Sequence, residues 1–273
     1  MEPTLQYINK LQNRKVLIIG GTSGIGICVA EAAIEHGAIV TITGSTESKL
    51  HTSLLRLNKI ASPLRRASGI PNPAVSGHLC DLSDLSLQES TLRLLLEAVT
   101  VNGEYKLDHV IFTAGNRISI PGLEDVTPDQ VQAMQTVRII APIMLAKLLP
   151  AYMTKSALSS LTLTGGTQAI KPSPGWSVMA GIMSSIFGLT RGFALDLQPI
   201  RVNAVIPGAV KGMATDELDP VVLEERMAQF RLTTLTNTVG TPEEVAEAYL
   251  YFMKSSYASG TVTVVDGGKL LRV

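Results

Sequence analysis

Cysteine is nearly absent: Cys28 and Cys80 are the only two in 273 residues, which excludes a disulfide framework and a cysteine-rich metal site. Net charge is absent too, 23 Lys+Arg standing against 23 Asp+Glu. A neutral surface removes the electrostatic basis for nucleic acid or an anionic membrane as the main partner. No run approaches ~18 uninterrupted apolar residues, so no membrane span is expected. The opening Met1-Glu2-Pro3-Thr4-Leu5-Gln6 lacks the basic and then apolar regions of a signal peptide. Charged residues are scarce, 17% beside 45% apolar, where soluble domains average roughly 25% charged. This surplus predicts a large core and leaves apolar surface for a second copy of the chain, in a homodimer or homotetramer. The expectation is a cytoplasmic protein that acts on a small molecule.

What is present is a regular alternation. Lys15 to Ile19 is a short apolar run ending in glycines, the pattern of a strand buried on both faces. Gly26 to His36 follows at helical spacing, closed by Gly37. Further strand patterns cover residues 38–43, 78–81, 108–112, 160–164, 201–205 and 261–265. Helical patterns cover 47–60, 85–99, a long stretch from 127 towards Tyr152, and 176–197. Thr127-Pro128-Asp129-Gln130 and Thr241-Pro242-Glu243-Glu244 read as capping boxes with proline at the first helical position. Residues 61–77, with Pro63, Gly69, Pro71, Pro73 and Gly77, read as an inserted loop. Strand and helix alternating from end to end, with no linker and no repeat, predict one α/β domain over residues 1–273: a doubly wound parallel sheet of Rossmann type.

Gly20-Gly21-Thr22-Ser23-Gly24-Ile25-Gly26 lies between the first strand and the first helix. Glycine lets the backbone turn sharply there and approach a pyrophosphate resting on the helix N-terminus. In its spacing this loop resembles that of the short-chain dehydrogenase/reductases, whose Gly-x-x-x-Gly-x-Gly is met by Gly20, Gly24 and Gly26. Cys80-Asp81-Leu82, Ala114-Gly115, Arg201 to Val205, Pro207-Gly208 and Asp266-Gly267-Gly268 are similar to further signatures of that family, in order along nearly the whole chain. The resemblance implies a nicotinamide cofactor held by Gly20, Thr22, Ser23, Gly24, Ile25, Gly26, Ser45, Thr46, Asp81, Leu82, Ala114, Gly115, Pro207, Gly208 and Val210, with a substrate lid over about 210–235. No acid ends the second strand at Thr43-Gly44-Ser45-Thr46 to bind a ribose hydroxyl and repel a 2′-phosphate. NADP(H) is therefore favoured over NAD(H).

The family's acid is missing. Counting back from Gly188-Leu189-Thr190 puts Met179 where the resemblance implies the catalytic tyrosine and Met183 where it implies the lysine. Gly166 takes the serine's place and Arg138 the asparagine's. No tyrosine is followed four residues later by lysine, and a thioether is neither an acid nor a usable base. Between Gly165 and Met183 the one ionisable side chain is Lys171.

Two residues are the candidates for catalysis. Arg138 cannot act as a general acid near neutral pH, but it can polarise a carbonyl or hold an anion; a structural pairing with a carboxylate or the cofactor is the alternative. Pro142 removes the helical hydrogen bond to the carbonyl of residue 138. Trp176, the only tryptophan, is either a flat wall for an aromatic substrate or a packing anchor. Val137-Arg138, Lys171-Pro172-x-Pro174-x-Trp176 and Ala194 to Leu197 resemble atypical fungal members of the family in alkaloid pathways. That resemblance implies iminium-type reduction, which needs no proton donor, or a Diels–Alder-like cyclisation. A non-redox isomerase or cyclase, and a catalytically silent cofactor-binding partner protein, stay open.

Overall fold

In the computed structural model, which describes residues 7–68, 75–116, 118–212 and 219–272, seven strands form one parallel sheet. These are β1 Lys15–Ile19, β2 Ile39–Gly44, β3 Val75–Leu79, β4 His109–Phe112, β5 Ser160–Thr164, β6 Arg201–Pro207 and β7 Val262–Val265. Their order is β3-β2-β1-β4-β5-β6-β7, so the chain reverses its direction of winding between β1 and β4. In open sheets of this kind ligands bind at such a switch point, beyond the carboxyl ends of the strands.

One face is covered by α1 Gly24–Glu35, α2 Glu47–Ser68 and α8 Pro242–Lys254, the other by α3 Gln88–Thr100, α5 Ala141–Leu148 and α6 Ser177–Asp196. The strands are apolar on both sides because both sides are packed: Ile18 and Val40 point into the first layer, Leu17, Val110 and Leu163 into the second. Both capping boxes form, Thr127 and Gln130 opening α4 Pro128–Gln135, Thr241 and Glu244 opening α8.

Several sequence boundaries are corrected. The stretch expected to loop from residue 61 continues α2 to Ser68, through Pro63, and β3 starts at Val75; residues 69–74 lie outside the described residues. Cys80 and Asp81 follow that strand instead of belonging to it. The first helix starts at Gly24, two residues early, because the phosphate-type turn feeds it directly. The long helix after Thr127 is four pieces: α4, a π-turn over Thr136–Ile140, α5, and a closing 3-10 turn over Leu149–Ala151. By length and mean hydropathy, 1.2 and 1.4, two continuous helical stretches, Pro128–Ala151 and Ser177–Asp196, are long and apolar enough to cross a membrane. Scattered polar residues hid them from a search for uninterrupted runs. Both pack on the sheet through Leu145, Leu148 and Ile186.

The Arg201 to Val205 segment turns out to be a structural staple. Arg201, 3% exposed, donates from Nε to the Ala157 carbonyl at 2.6 Å and from Nη1 to the Phe252 carbonyl at 2.7 Å. Asn203 holds the Ala258 carbonyl at 2.8 Å and the Thr261 N–H at 3.1 Å. All of this sits at the amino end of the strands, away from the switch point.

His109 is buried beside this staple, its Nδ1 2.9 Å from Ser160 Oγ. Burial, aided by the charges of Arg201 and Arg14, pushes its pKa down to about 3. An unfolded histidine takes a proton near pH 6.5. Between those values the unfolded chain binds the extra proton, so stability falls as pH drops, by about 1.4 kcal/mol per pH unit from this group. Urea midpoints between pH 6 and 4 are expected to fall more steeply for the wild type than for His109→Asn; parallel slopes would contradict this origin.

Candidate active site

The glycine loop is built by close approach. Gly20 has φ +89°, and a Cβ on it would lie 2.6 Å from the Ala114 backbone nitrogen. A Cβ on Gly26 would lie 2.3 Å from the Gly20 carbonyl oxygen, so helix and strand meet there as only glycine allows. Gly24 differs: φ is +51° and nothing stands within 4 Å of a Cβ built on it. The first-turn N–H groups at Gly24, Ile25 and Gly26 have no intrahelical acceptor, and Ser23 spends no side-chain bond on capping. Thr22 is packed against Gly44, and its carbonyl accepts from Ser53 Oγ at 3.0 Å. Thr113 donates to the carbonyls of Ile19 and Gly20 at 3.1 and 3.2 Å, tying the loop to the end of β4. These residues fit a dinucleotide: an open cradle at a helix N-terminus, braced from behind.

The other expected contacts lie along the same carboxyl edge. Ser45 and Thr46 are exposed after β2. Asp81 is exposed and accepts the Ser83 N–H at 2.9 Å, while Leu82 is buried with its carbonyl held by Gln88 Nε2 at 2.6 Å. Pro207 ends β6, and Gly208 lies so close to Asp266 that a Cβ would meet its Cα at 2.8 Å. The Asp266 carboxylate in turn accepts the N–H groups of Gly268 and Leu270, both at 2.9 Å. Val210 bridges to Gly240. Of the expected lid, 213–218 lie outside the described residues; α7 Pro220–Leu232 is capped by Asp219 and carries Val221, Glu224, Glu225 and Ala228 along one open groove.

At the switch point a cavity of about 20 Å³ is lined by Phe112, Ala114, Arg138, Thr164, Gly165 and Met183, among others, enough for one water. Arg138 reaches it from the π-turn. Pro142 has no N–H to give the carbonyl of residue 138, the turn widens, and the Ala141 N–H bonds back to the Thr136 carbonyl. Gln88 Nε2 donates to that same carbonyl at 2.9 Å, linking the π-turn to the Asp81-Leu82 segment.

The guanidinium lies flat on Gly115, where a Cβ would be 2.9 Å from Nη1. Nη2 donates to the Asn116 carbonyl at 2.7 Å, and Nε is buried without a hydrogen-bond partner. Among the described residues no carboxylate pairs with it. Burial lowers its pKa, the mark of a cation left without a counter-charge.

Met179 is buried and Met183 half-buried. With Met134, Ile182 and Trp176 they form a third, smaller apolar cluster outside the two main layers. Met183 Sδ would touch a Cβ at Gly166 at 3.4 Å, and Met179 packs in the same cluster as Met183. Trp176 sits at the start of α6, its N–H bonded to the Ser173 carbonyl at 3.1 Å.

One phenol comes near. Tyr249 OH lies 2.7 Å from Thr164 Oγ1. That threonine's single proton is donated to the Phe112 carbonyl at 2.7 Å, so Tyr249 is the donor to it. The tyrosine is fully buried in the α1–α8 layer, across the sheet from Met183, and burial raises its pKa.

A family model described as an SDR-like Rossmann domain matches residues 7–272. The chain is a short-chain dehydrogenase/reductase. As such it is an enzyme whose fold implies a nicotinamide cofactor and a small-molecule substrate. It is 42% identical, over 100% of both chains, to the short-chain dehydrogenase/reductase malC of Malbranchea aurantiaca. It is 38% identical to the short-chain dehydrogenase/reductase fsr5 of Gibberella fujikuroi, covering 97% of this chain and 98% of that one. Among solved structures it is similar to the MalC reductase/Diels-Alderase from Malbranchea aurantiaca, with TM-score 0.84 and 40% identity over 97% of this chain and 100% of that one. These likenesses make the activity one of an oxidoreductase, a cyclase or both.

The sequence missed the supports of the site. Thr113 lies between the strand pattern 108–112 and the Ala114-Gly115 pair, and a hydroxyl at a strand end is the available signal. Asn116, Gln88 and Gln168 left no such mark, since their contacts are long-range or depend on loop shape.

Proposed function

We propose that this enzyme binds NADP(H) and works in fungal specialised metabolism without a side-chain acid, reducing an iminium-type substrate or guiding a Diels–Alder-like cyclisation in an apolar pocket. The carrying observation is Met183 set against Gly166 and lining the switch-point cavity, with Met179 in the same apolar cluster and with Arg138, which has no carboxylate partner among the described residues, on the cavity wall. When bound, the nicotinamide supplies hydride. Addition to C=N⁺ gives a neutral amine, so no proton is required of Met179 or Met183. Gly20, Gly24 and Gly26 hold the pyrophosphate, with Ser45 and Thr46 beside the ribose, where no carboxylate opposes a 2′-phosphate. Arg138 holds a carbonyl or other electron-rich group of the substrate, and Trp176 with the methionines gives an apolar, adaptable wall suited to an aromatic or alkaloid-like ring system. The likeness to a protein described as reductase/Diels-Alderase supports cyclisation in the same pocket, by shape and electrostatics.

The exposed parts of Pro128–Ala151 and Ser177–Asp196, with Leu195 71% exposed, support a homodimer or homotetramer. Titration of the protein with NADPH, followed by cofactor fluorescence, tests the first step. Binding, with oxidation only once an iminium compound is added, is the expected result. Absence of binding would remove the redox reading.

A further inference from the structure

The loop between β5 and α6 carries Trp176 yet has little regular structure to hold it: a single 3-10 turn, Thr167–Ala169, precedes the exposed stretch 170–175. Side-chain bonds do what secondary structure does not. Gln168 Oε1 accepts the Ser173 N–H at 2.7 Å, and Gln168 Nε2 donates to Ser173 Oγ at 3.0 Å. The Ser173 carbonyl then accepts the Trp176 N–H at 3.1 Å. Between them stand Pro174 and Gly175, the latter at φ +79°, the residues and left-handed geometry of a type II turn. Orientation fixed at Ser173 is therefore passed through one rigid turn to the tryptophan backbone. A second tie comes from the far end of the chain: Lys171 Nζ donates to the Arg272 carbonyl at 2.5 Å.

We propose that Gln168 is a positioning residue that sets Trp176 as the fixed wall of the substrate pocket, with Lys171 and the C-terminal backbone as its brace. The role of Trp176 as a substrate wall rests on the function proposed above; its placement by Gln168 does not. A wall held in advance favours rigid ring systems, since the ordering is completed before substrate arrives.

Trp176 is the sole tryptophan, so indole fluorescence reports on this site alone. Gln168→Leu keeps the bulk and removes both bonds. It is expected to raise acrylamide quenching of the indole about twofold and to lower its anisotropy, as local order is lost. Gln168→Glu retains an acceptor for the Ser173 N–H and is expected to restore most of the wild-type signal. Lys171→Met should give a smaller change in the same direction. Gln168 is half-buried and Lys171 exposed, so circular dichroism should show all three folded. Wild-type quenching and anisotropy in folded Gln168→Leu would overturn the proposal. If quenching rises and KM for an N-methylated aromatic iminium rises with little change in kcat, placement and pocket role both stand. If quenching rises while KM is unmoved, the placement stands and the pocket role of Trp176 fails.

Discussion

Gly24→Ala is expected to fold normally and to bind NADPH about a hundredfold more weakly, a loss of roughly 2.7 kcal/mol. The two halves of that expectation have separate causes. At φ +51° an alanine pays left-handed backbone strain of about 1–2 kcal/mol, tolerable for a sheet packed on both faces. Apart from the adjoining residues and the helix's own first-turn backbone, no described atom lies within 4 Å of the added methyl, so no packed side chain has to move. The methyl stands in the open cradle over the α1 N-terminus, where close backbone approach to a phosphate is the reason for glycine. Gly20→Ala makes the contrasting case, since its methyl would strike the Ala114 backbone at 2.6–2.9 Å and damage the loop itself. Melting curves and NADPH titration on both variants separate the two effects. Full NADPH affinity in Gly24→Ala would mean that the cofactor does not rest on this loop.

Arg138→Ala should lower kcat/KM at least about tenfold while leaving the melting temperature unchanged or raised. Removing a cation that has one carbonyl partner, a buried orphan Nε and no carboxylate among the described residues relieves a desolvation penalty. A group kept at the expense of stability is kept for what it does to a ligand. Arg138→Lys should not rescue, because an ammonium cannot lie flat on Gly115 and still reach Asn116. Unchanged turnover combined with a lower melting temperature would make the arginine structural.

Much of the architecture was readable because buried parallel strands leave continuous apolar runs and helices leave caps: Thr127 and Thr241 announced their helices, and the glycine loop announced the switch point. The failures share a cause. Pro63 reads as a breaker in the sequence, yet α2 runs through it to Ser68, since local propensity is a weak guide to where a helix ends. The π-turn followed from Pro142 only in part: the lost bond was legible, the widened turn was not. At the site, helical spacing puts Met179 and Met183 in one apolar cluster, and Met183 meets Gly166 just past the end of β5. What surrounds Arg138 was hidden, since its partners at Gly115 and Asn116 come from a different strand end. Gln168 was hidden for the same reason, its bond to Ser173 depending on a loop shape that no periodicity encodes.

The claim on which the function depends is that no side chain donates a proton during turnover. The pH dependence of NADPH oxidation tests it, using an N-methylated cyclic iminium, whose fixed charge does not titrate, beside a simple ketone. The expected result is a rate constant flat from about pH 6 to pH 9 for the iminium and no measurable turnover of the ketone. Ready reduction of the ketone, at a rate that falls as a phenol or ammonium group loses its proton, would contradict it.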